Sequence, residues 1–196
     1  NAQNAGQMLA GGLKAAILLN VEPQFDSAAG ASGVKGLNAC QMVVTLSPFK
    51  ANLAFSDVLL PIAPFTETPG TFVNAEGRVQ GFHAVVKPLG ETRPGWKVLR
   101  VLANMLGLAG FDFESAQEVA AQVLGQAGEG ATHLPAGVLS NAVANVGLGA
   151  AADLEPASGV PATASIYQLD GIVRRASSLQ LTADARLAAF AQGVAA

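Results

Sequence analysis

Charge is what this chain lacks most. Of its 196 residues only 13% are Asp, Glu, Lys or Arg, while 51% are hydrophobic; an ordinary soluble domain carries about 25% charged residues. Two readings of so thin a polar cover stand side by side. Either part of the surface is buried by a partner or another domain, or the sequence is simply rich in alanine and glycine. Cysteine is nearly missing as well. Cys40 stands alone, which excludes an internal disulfide and any zinc or iron–sulfur site built from several local cysteines, and it fits a reducing compartment. Just ahead of a strand, Cys40 reads as a small core residue rather than a nucleophile. No apolar run reaches the roughly 18 to 20 residues of a membrane-spanning helix. There is no basic stripe with interleaved aromatics and the net charge is −3, so nucleic acid is excluded as a partner. Asn1 rather than Met begins the chain, and no charged segment precedes an apolar one. The expectation is a piece of a longer protein with no targeting signal in view.

What is present reads as α/β. Ala15–Leu19 is an apolar strand, too short for a helix, ended by Asn20-Val-Glu-Pro23. Gly30, Gly33 and Gly36 predict a loop with about one helical turn. Met42–Leu46 is a second strand with β-branched enrichment. Ser47 as N-cap and Pro48 at the first helical position predict a short helix to about Ser56. Val58–Leu60 is a third strand. Continuous apolar strands joined by helix-sized gaps predict a parallel sheet covered on both faces, half of a doubly wound domain.

Thr71–Val73 and Arg78–Gln80 flank Asn74-Ala-Glu-Gly77, where Gly77 supplies the left-handed residue of a hairpin. Pro94–Leu106 is a helix. Trp96, Val98, Leu99, Val101, Leu102, Met105 and Leu106 form its apolar stripe, expected to face the core, and Gly107 closes it. Ser115-Ala-Gln-Glu118 is a capping box opening a helix to about Leu124, closed by Gly125. Gln126–Ala164 is rich in Gly, Ala and Pro and reads as a long irregular crossing. Order is expected to return at Ile166–Asp170, with a helix over Gly171–Ser177 and a last one capped by Thr182 and carrying Leu187 and Phe190. The chain thus divides into an α/β domain over 1–125, a connection over 126–164 and a helical segment over 165–196.

Few residues suggest chemistry. Gly147-Leu-Gly-Ala-Ala-Ala152 fits G-x-G-x-x-A, but no strand precedes it and Pro156 follows, so it is not read as a dinucleotide fingerprint. His83 and His133 have no Cys, Asp or Glu at ligand spacing and are not read as metal ligands. Ser47, Ser56 and Ser140 lack the context of a catalytic serine. Nothing in the spacing of Asp26, Asp57 and Glu67 pairs them for acid–base work. Glu67 and the Asn74–Arg78 turn are the best polar candidates. They either touch a ligand bound in the crevice beyond the strand ends, or Glu67 accepts backbone N–H bonds within its own Pro64–Gly70 turn and Arg78 pairs with a local acid. Asp170 and Arg174 have the spacing of an i, i+4 ion pair. Arg174 and Arg175 otherwise read as a docking contact to another subunit.

Three segments carry a resemblance. Asp57-Val-Leu-Leu-Pro61 with Gly70-Thr-Phe-Val-Asn-Ala-Glu-Gly-Arg-Val-Gln80 resembles a signature of the molybdopterin oxidoreductase superfamily. Lys87-Pro-Leu-Gly-Glu-Thr-Arg-Pro94 running into Trp96-Lys-Val-Leu-Arg100, and Ile166-Tyr-Gln-Leu-Asp-Gly-Ile-Val-Arg-Arg-Ala176 with Leu179, Gln180 and Thr182, are similar to its complex I branch. That branch comprises the large iron–sulfur subunits of bacterial NADH-quinone oxidoreductases. With Ala15–Pro23 and Met42–Phe49 the similarity covers about three fifths of the chain.

The resemblance implies a Rossmann-like parallel-sheet portion of a molybdopterin-oxidoreductase-like domain, with a hairpin and C-terminal helices. It implies a structural role in the large iron–sulfur subunit of an enzyme that moves electrons from NADH through FMN and clusters to quinone, with proton translocation. The iron–sulfur clusters would sit upstream in the parent chain. This piece would carry no catalytic, cofactor-binding or metal-ligating residue and no molybdenum cofactor. Its partners would be the other peripheral-arm subunits, on the cytoplasmic side of the inner membrane without inserting into it. One departure is Asn20-Val-Glu-Pro23, where cofactor-binding relatives more often have a glycine-rich turn; a bulkier turn with a carboxylate disfavours a phosphate-bearing group. Two other readings remain open: a fragment of an active molybdopterin oxidoreductase of formate dehydrogenase or nitrate reductase type, and a free-standing nucleotide-binding module.

Overall fold

The computed structural model describes residues 3–124 and 165–191. The expected crossing over Gln126–Ala164 lies outside them, as do Gly147–Ala152, His133, Ser140 and the side chain of Phe190. Three strands, β1 (Ala15–Leu19), β2 (Met42–Ser47) and β3 (Val58–Pro61), form a sheet in the order β1-β2-β3. It is parallel. The Asp57 N–H donates to Val43 O at 2.9 Å and the Ile62 N–H to Ser47 O at 3.3 Å, so the pairing advances in the same direction along both strands. A two-stranded antiparallel hairpin, β4 (Gly70–Val73) with β5 (Val79–Phe82), completes the strands of the described residues. The architecture is mixed α/β, as the sequence predicts. β1 has the expected bounds but is not buried. It is an edge strand, and Ile17 and Leu19 remain exposed.

The described residues fall into two compact units. The first draws on Asn1–Thr45, Phe49–Leu59 and Ala157–Ala196. Its helices are α1 (Ala5–Leu9), α2 (Pro23–Asp26), α3 (Ala31–Asn38) and, near the C-terminus, α6 (Gly171–Arg175), α7 (Ser177–Gln180) and α8 (Ala183–Ala191). Leu37, Val43 and Ala185 are buried here, with Thr45 and Asn52 among the buried polar residues. Thr45 is satisfied in a chain: the Ser56 hydroxyl donates to Asn52 O at 2.8 Å, which leaves the Thr45 hydroxyl to donate to Ser56 Oγ at 2.7 Å. The Asn52 side chain donates to Val21 O at 2.8 Å, and its buried Oδ1 has no hydrogen-bond partner among the described residues.

Two expectations fail in this unit. The glycines at 30, 33 and 36 belong to an eight-residue helix and its N-cap rather than to a loop. The two inside the helix face α1: a Cβ on Gly33 would lie 3.3 Å from Leu9 Cδ1, and one on Gly36 would run into the Leu9 carbonyl, while Gly30 serves as the N-cap at φ +54°. A helical glycine is costly unless packing needs the space, and the seating of α1 on α3 needs it. The helix expected from Ser47 shrinks to a single 3₁₀ turn, Ala51–Ala54. Ser47 is not its N-cap: Lys50 holds that position, and Ser47 is still the last residue of β2, its carbonyl accepting from the Ile62 N–H.

The C-terminal helices also differ in detail. The single helix expected over Gly171–Ser177 breaks at Ala176 into α6 and α7. The Gln180 side chain donates to Val173 O at 2.8 Å, taking a carbonyl that a continuous helix would use. Thr182 does cap α8, accepting from the Ala185 N–H at 3.3 Å, but Leu187 is exposed.

The second unit draws on Leu46–Pro48 and Leu60–Pro156. It holds the hairpin, a 3₁₀ turn at Phe65–Glu67, α4 (Gly95–Met105) and α5 (Ala116–Leu124). Leu46, Ile62, Ala63 and Ala103 are buried. α4 ends in a Schellman motif: the Leu108 N–H donates to Ala103 O and the Gly107 N–H to Asn104 O, both at 3.0 Å, with Gly107 at φ +70°. Only half of the α4 stripe behaves as core. Trp96, Val98, Leu99 and Leu102 are half-buried, whereas Val101, Met105 and Leu106 are exposed, since no described element covers that side. At α5 the Ser115 hydroxyl accepts from the Glu118 N–H at 3.1 Å. The reciprocal bond of the capping box goes one residue further out, from the Glu114 N–H to Glu118 Oε2 at 2.8 Å.

Candidate functional site

In open parallel α/β sheets, ligands sit at the carboxyl ends of the strands. Here the carboxyl end of β1 runs into Asn20-Val-Glu-Pro23, with Asn20 the one non-glycine residue of positive φ, +51°, among the described residues. Glu22 is buried, its side chain 6% exposed. Two arginines from α6 reach it. Arg175 Nη2 lies 2.8 Å from Glu22 Oε1 and Arg174 Nη2 lies 3.4 Å from Glu22 Oε2. Arg174 is itself only 7% exposed and also donates to Asp26 Oδ1 at 3.0 Å and to Gln168 O at 2.6 Å. Each guanidinium lies over an aromatic ring: Arg174 over Phe25 at 4.7 Å and Arg175 over Phe49 at 3.8 Å. Two carboxylates and two guanidiniums thus neutralise one another in a largely dry setting, where pairing is what makes burial tolerable.

Much of the backbone of the same turn is already in use. Asp26 Oδ2 accepts from the Glu22 N–H at 2.7 Å, Val21 O accepts from the Asn52 side chain at 2.8 Å, and the Phe25 and Asp26 N–H groups both donate to Glu22 O. Pro23 has no N–H to give. A phosphate-bearing group needs free N–H donors and positive charge. This turn presents a buried carboxylate whose cationic partners are already engaged, so the residues present do not fit such a group.

The polar residues singled out from the sequence turn out to hold backbone. Asp57 Oδ2 accepts from the Val43 N–H at 2.7 Å, closing the start of β2 against β3. Glu67 Oε2 accepts from the Leu89 N–H at 2.9 Å, a backbone bond as one reading has it, but to a segment 22 residues on rather than within its own turn. Asn74 Oδ1 accepts from the N–H groups of Glu76 and Arg78 at 3.0 and 2.9 Å and shapes the hairpin loop, with Gly77 at φ +79°. Arg78 is exposed and makes no ion pair among the described residues, against the expected local acid. His83 is exposed, and no group of three or more His, Cys, Asp or Glu among the described residues is placed to hold a metal. Cys40 is half-buried, its Sγ 3.7 Å from Gly36 O. The expected Asp170–Arg174 pair does not form. Asp170 caps α6 through the Ile172 and Val173 N–H groups at 2.8 and 3.1 Å, and Arg174 turns to Glu22 and Asp26 instead. The Arg174 side chain is turned inward, whereas Arg175 stays exposed at the edge of the cluster.

Sequence reasoning picks out Glu22, Arg174 and Arg175 but not their union, and it misses Phe25 and Phe49 altogether. The adjacent arginine pair is the usable signal.

The fold and this turn define an α/β domain of open-sheet type whose first strand end carries a cluster of two carboxylates and two guanidiniums. Residues 2–105 match the family model described as molybdopterin oxidoreductase, and the chain belongs to that family. A stretch of 53 residues is 49% identical to a protein of Staphylococcus aureus (strain bovine RF122 / ET3-1) that carries a formate dehydrogenase name, over 27% of this chain and 5% of that protein. A stretch of 65 residues is 43% identical to YjgC of Bacillus subtilis (strain 168), which carries an oxidoreductase name, over 33% of this chain and 6% of that protein. Among solved structures, acetylene hydratase from Pelobacter acetylenicus superposes with a TM-score of 0.47 at 26% identity, over 55% of this chain and 15% of that one. The matches to the two curated relatives therefore span only 5% and 6% of those proteins. No helix among the described residues is long and apolar enough to cross a membrane.

Proposed function

We propose that this chain is a structural, non-catalytic part of the large iron–sulfur subunit of a bacterial NADH-quinone oxidoreductase, respiratory complex I. One observation carries the reading. The segment that resembles the complex I branch, Ile166–Ala176, supplies the two arginines that hold Glu22, the residue standing where cofactor-binding relatives more often have a glycine-rich turn. The two departures compensate each other: the carboxylate would be an unpaired buried charge without the arginines, and without the carboxylate Arg175 would lose its counter-ion and Arg174 would keep only Asp26. A fold of the molybdopterin oxidoreductase kind that fills its strand end with its own side chains is suited to scaffolding. In this reading electrons pass through clusters upstream in the parent chain, the molybdenum cofactor is absent, and the partners are other peripheral-arm subunits on the cytoplasmic face of the membrane.

A second reading has its own support. Relatives matched here bear formate dehydrogenase names, which favours a fragment of an active molybdopterin oxidoreductase. Capture of the native parent polypeptide with an antibody against this chain separates the two. Co-purification with membrane NADH dehydrogenase subunits is expected; a parent that travels without them, with formate-oxidising activity, overturns the proposal.

A further inference from the structure

We infer that residues 165–180 are a tethered occupant of the turn that ends β1, docked through Arg174 and Arg175 on the Glu22 and Asp26 carboxylates, which closes that turn to phosphate-bearing ligands. The inference deepens the reading above, and its test is read within this chain alone, so either can fail without the other.

The segment is built to arrive as a unit. The Gln180 side chain donates to Tyr167 O at 3.0 Å and to Val173 O at 2.8 Å, and accepts from the Gln168 side chain at 3.2 Å, which ties the turn before α6 to the end of α7. Arg175 Nη1 donates back to Gly171 O at 2.8 Å, and Arg174 Nη1 to Gln168 O. Both guanidiniums are therefore aimed by their own segment before they meet the carboxylates, so little side-chain freedom remains to be lost on docking.

The receiving surface is complementary in shape as well as charge. A Cβ at Gly171 would lie 3.0 Å from Phe49 Cε2, so glycine is what lets α6 settle against the ring that carries Arg175. Phe25, from the helix that follows the turn, carries Arg174 in the same way. Charge is balanced two against two. The N–H groups of Glu22, Phe25 and Asp26 are spent on internal acceptors, which leaves an incoming phosphate neither those donors nor an unpaired cation there.

Hydrogen–deuterium exchange of the whole chain, read by mass spectrometry with and without inorganic pyrophosphate, tests this. In the wild type the amides of 22–27 and 168–181 are expected to be protected together, and pyrophosphate to change neither. Arg174→Gln is expected to speed exchange in 172–181 by about tenfold or more, equivalent to about 1.4 kcal/mol, while Val43 and Thr45 in β2 stay slow. Asp26→Asn, which leaves Glu22 and both arginines in place, is expected to give a smaller rise in the same segment and keeps the test readable if the first variant does not fold. Unchanged exchange of 172–181 in the variant that folds overturns the docking. Protection of 22–27 by pyrophosphate in the wild type overturns the closure.

Discussion

Arg174 reaches 148 residues back along the chain to Asp26, Nη1 to Oδ1 at 3.0 Å. The same side chain touches Glu22, which Arg175 holds from the other oxygen. Glu22 is therefore the member of the cluster with most to lose. Glu22→Gln strips both guanidiniums of their shared counter-ion. For a buried pair broken on one side the loss is about 3–5 kcal/mol, which at roughly 2–4 °C per kcal/mol for a chain this size lowers the Tm by roughly 10 °C. Arg175→Gln, whose side chain is 35% exposed, is expected to lower it less. Thermal melts followed by circular dichroism give the ranking. Equal melts for wild type and Glu22→Gln contradict the burial of the pair.

The two helical glycines that face Leu9 separate by what a methyl group would meet. On Gly36 it strikes the Leu9 carbonyl and lies 3.2 Å from Gly11 N, all backbone; on Gly33 it meets the end of the Leu9 side chain at 3.3 Å. Backbone cannot step aside, whereas a leucine rotamer can. Gly36→Ala is expected to destabilise by about 1–3 kcal/mol, the usual range for overpacking. Gly33→Ala is expected to be close to neutral, the lost space offset by better helix propensity. Urea midpoints of the two variants decide it. A Gly36→Ala midpoint at or above the wild-type value contradicts the seating of α1 on α3.

How much of this is legible in the sequence depends on the range of the interaction. β1, the hairpin, the Gly107 stop and the Thr182 cap rest on contacts a few residues long, and pattern and turn chemistry locate them. The apolar pattern ends β2 at Leu46, one residue short, because the bond that extends it comes from Ile62. Gly33 and Gly36 mislead because glycine signals both a loop and a close approach, and only the position of Leu9 tells which. Arg174 misleads because a local partner, Asp170, stands at the right spacing and proves to be occupied as an N-cap. The charged cluster is invisible for the same reason: its halves lie at opposite ends of the chain.

The hairpin gives a further check. Gly77 sits at φ +79°, where a β-branched residue is strained by about 1–3 kcal/mol. Gly77→Val is expected to lower the melting temperature. A melt that coincides with wild type contradicts the turn assignment.

Within the same hairpin, Gly70 and Gly81 should respond in opposite ways. A Cβ on Gly70 would lie 2.6 Å from Phe82 Cζ, in the ring that stacks on Phe72 at 4.7 Å between centroids. A Cβ on Gly81 meets nothing within 4 Å. Gly70→Ala is expected to disturb the phenylalanine near-ultraviolet dichroism and Gly81→Ala to leave it unchanged. The reverse order contradicts the register that pairs Gly70 with Phe82.

In the proposed reading, the parent of this chain keeps a molybdopterin oxidoreductase fold without the cofactor. Elemental analysis of the captured native parent polypeptide tests it most directly. Several iron atoms per chain and no stoichiometric molybdenum are expected. Molybdenum at one atom per chain contradicts it and assigns the chain to an active molybdoenzyme.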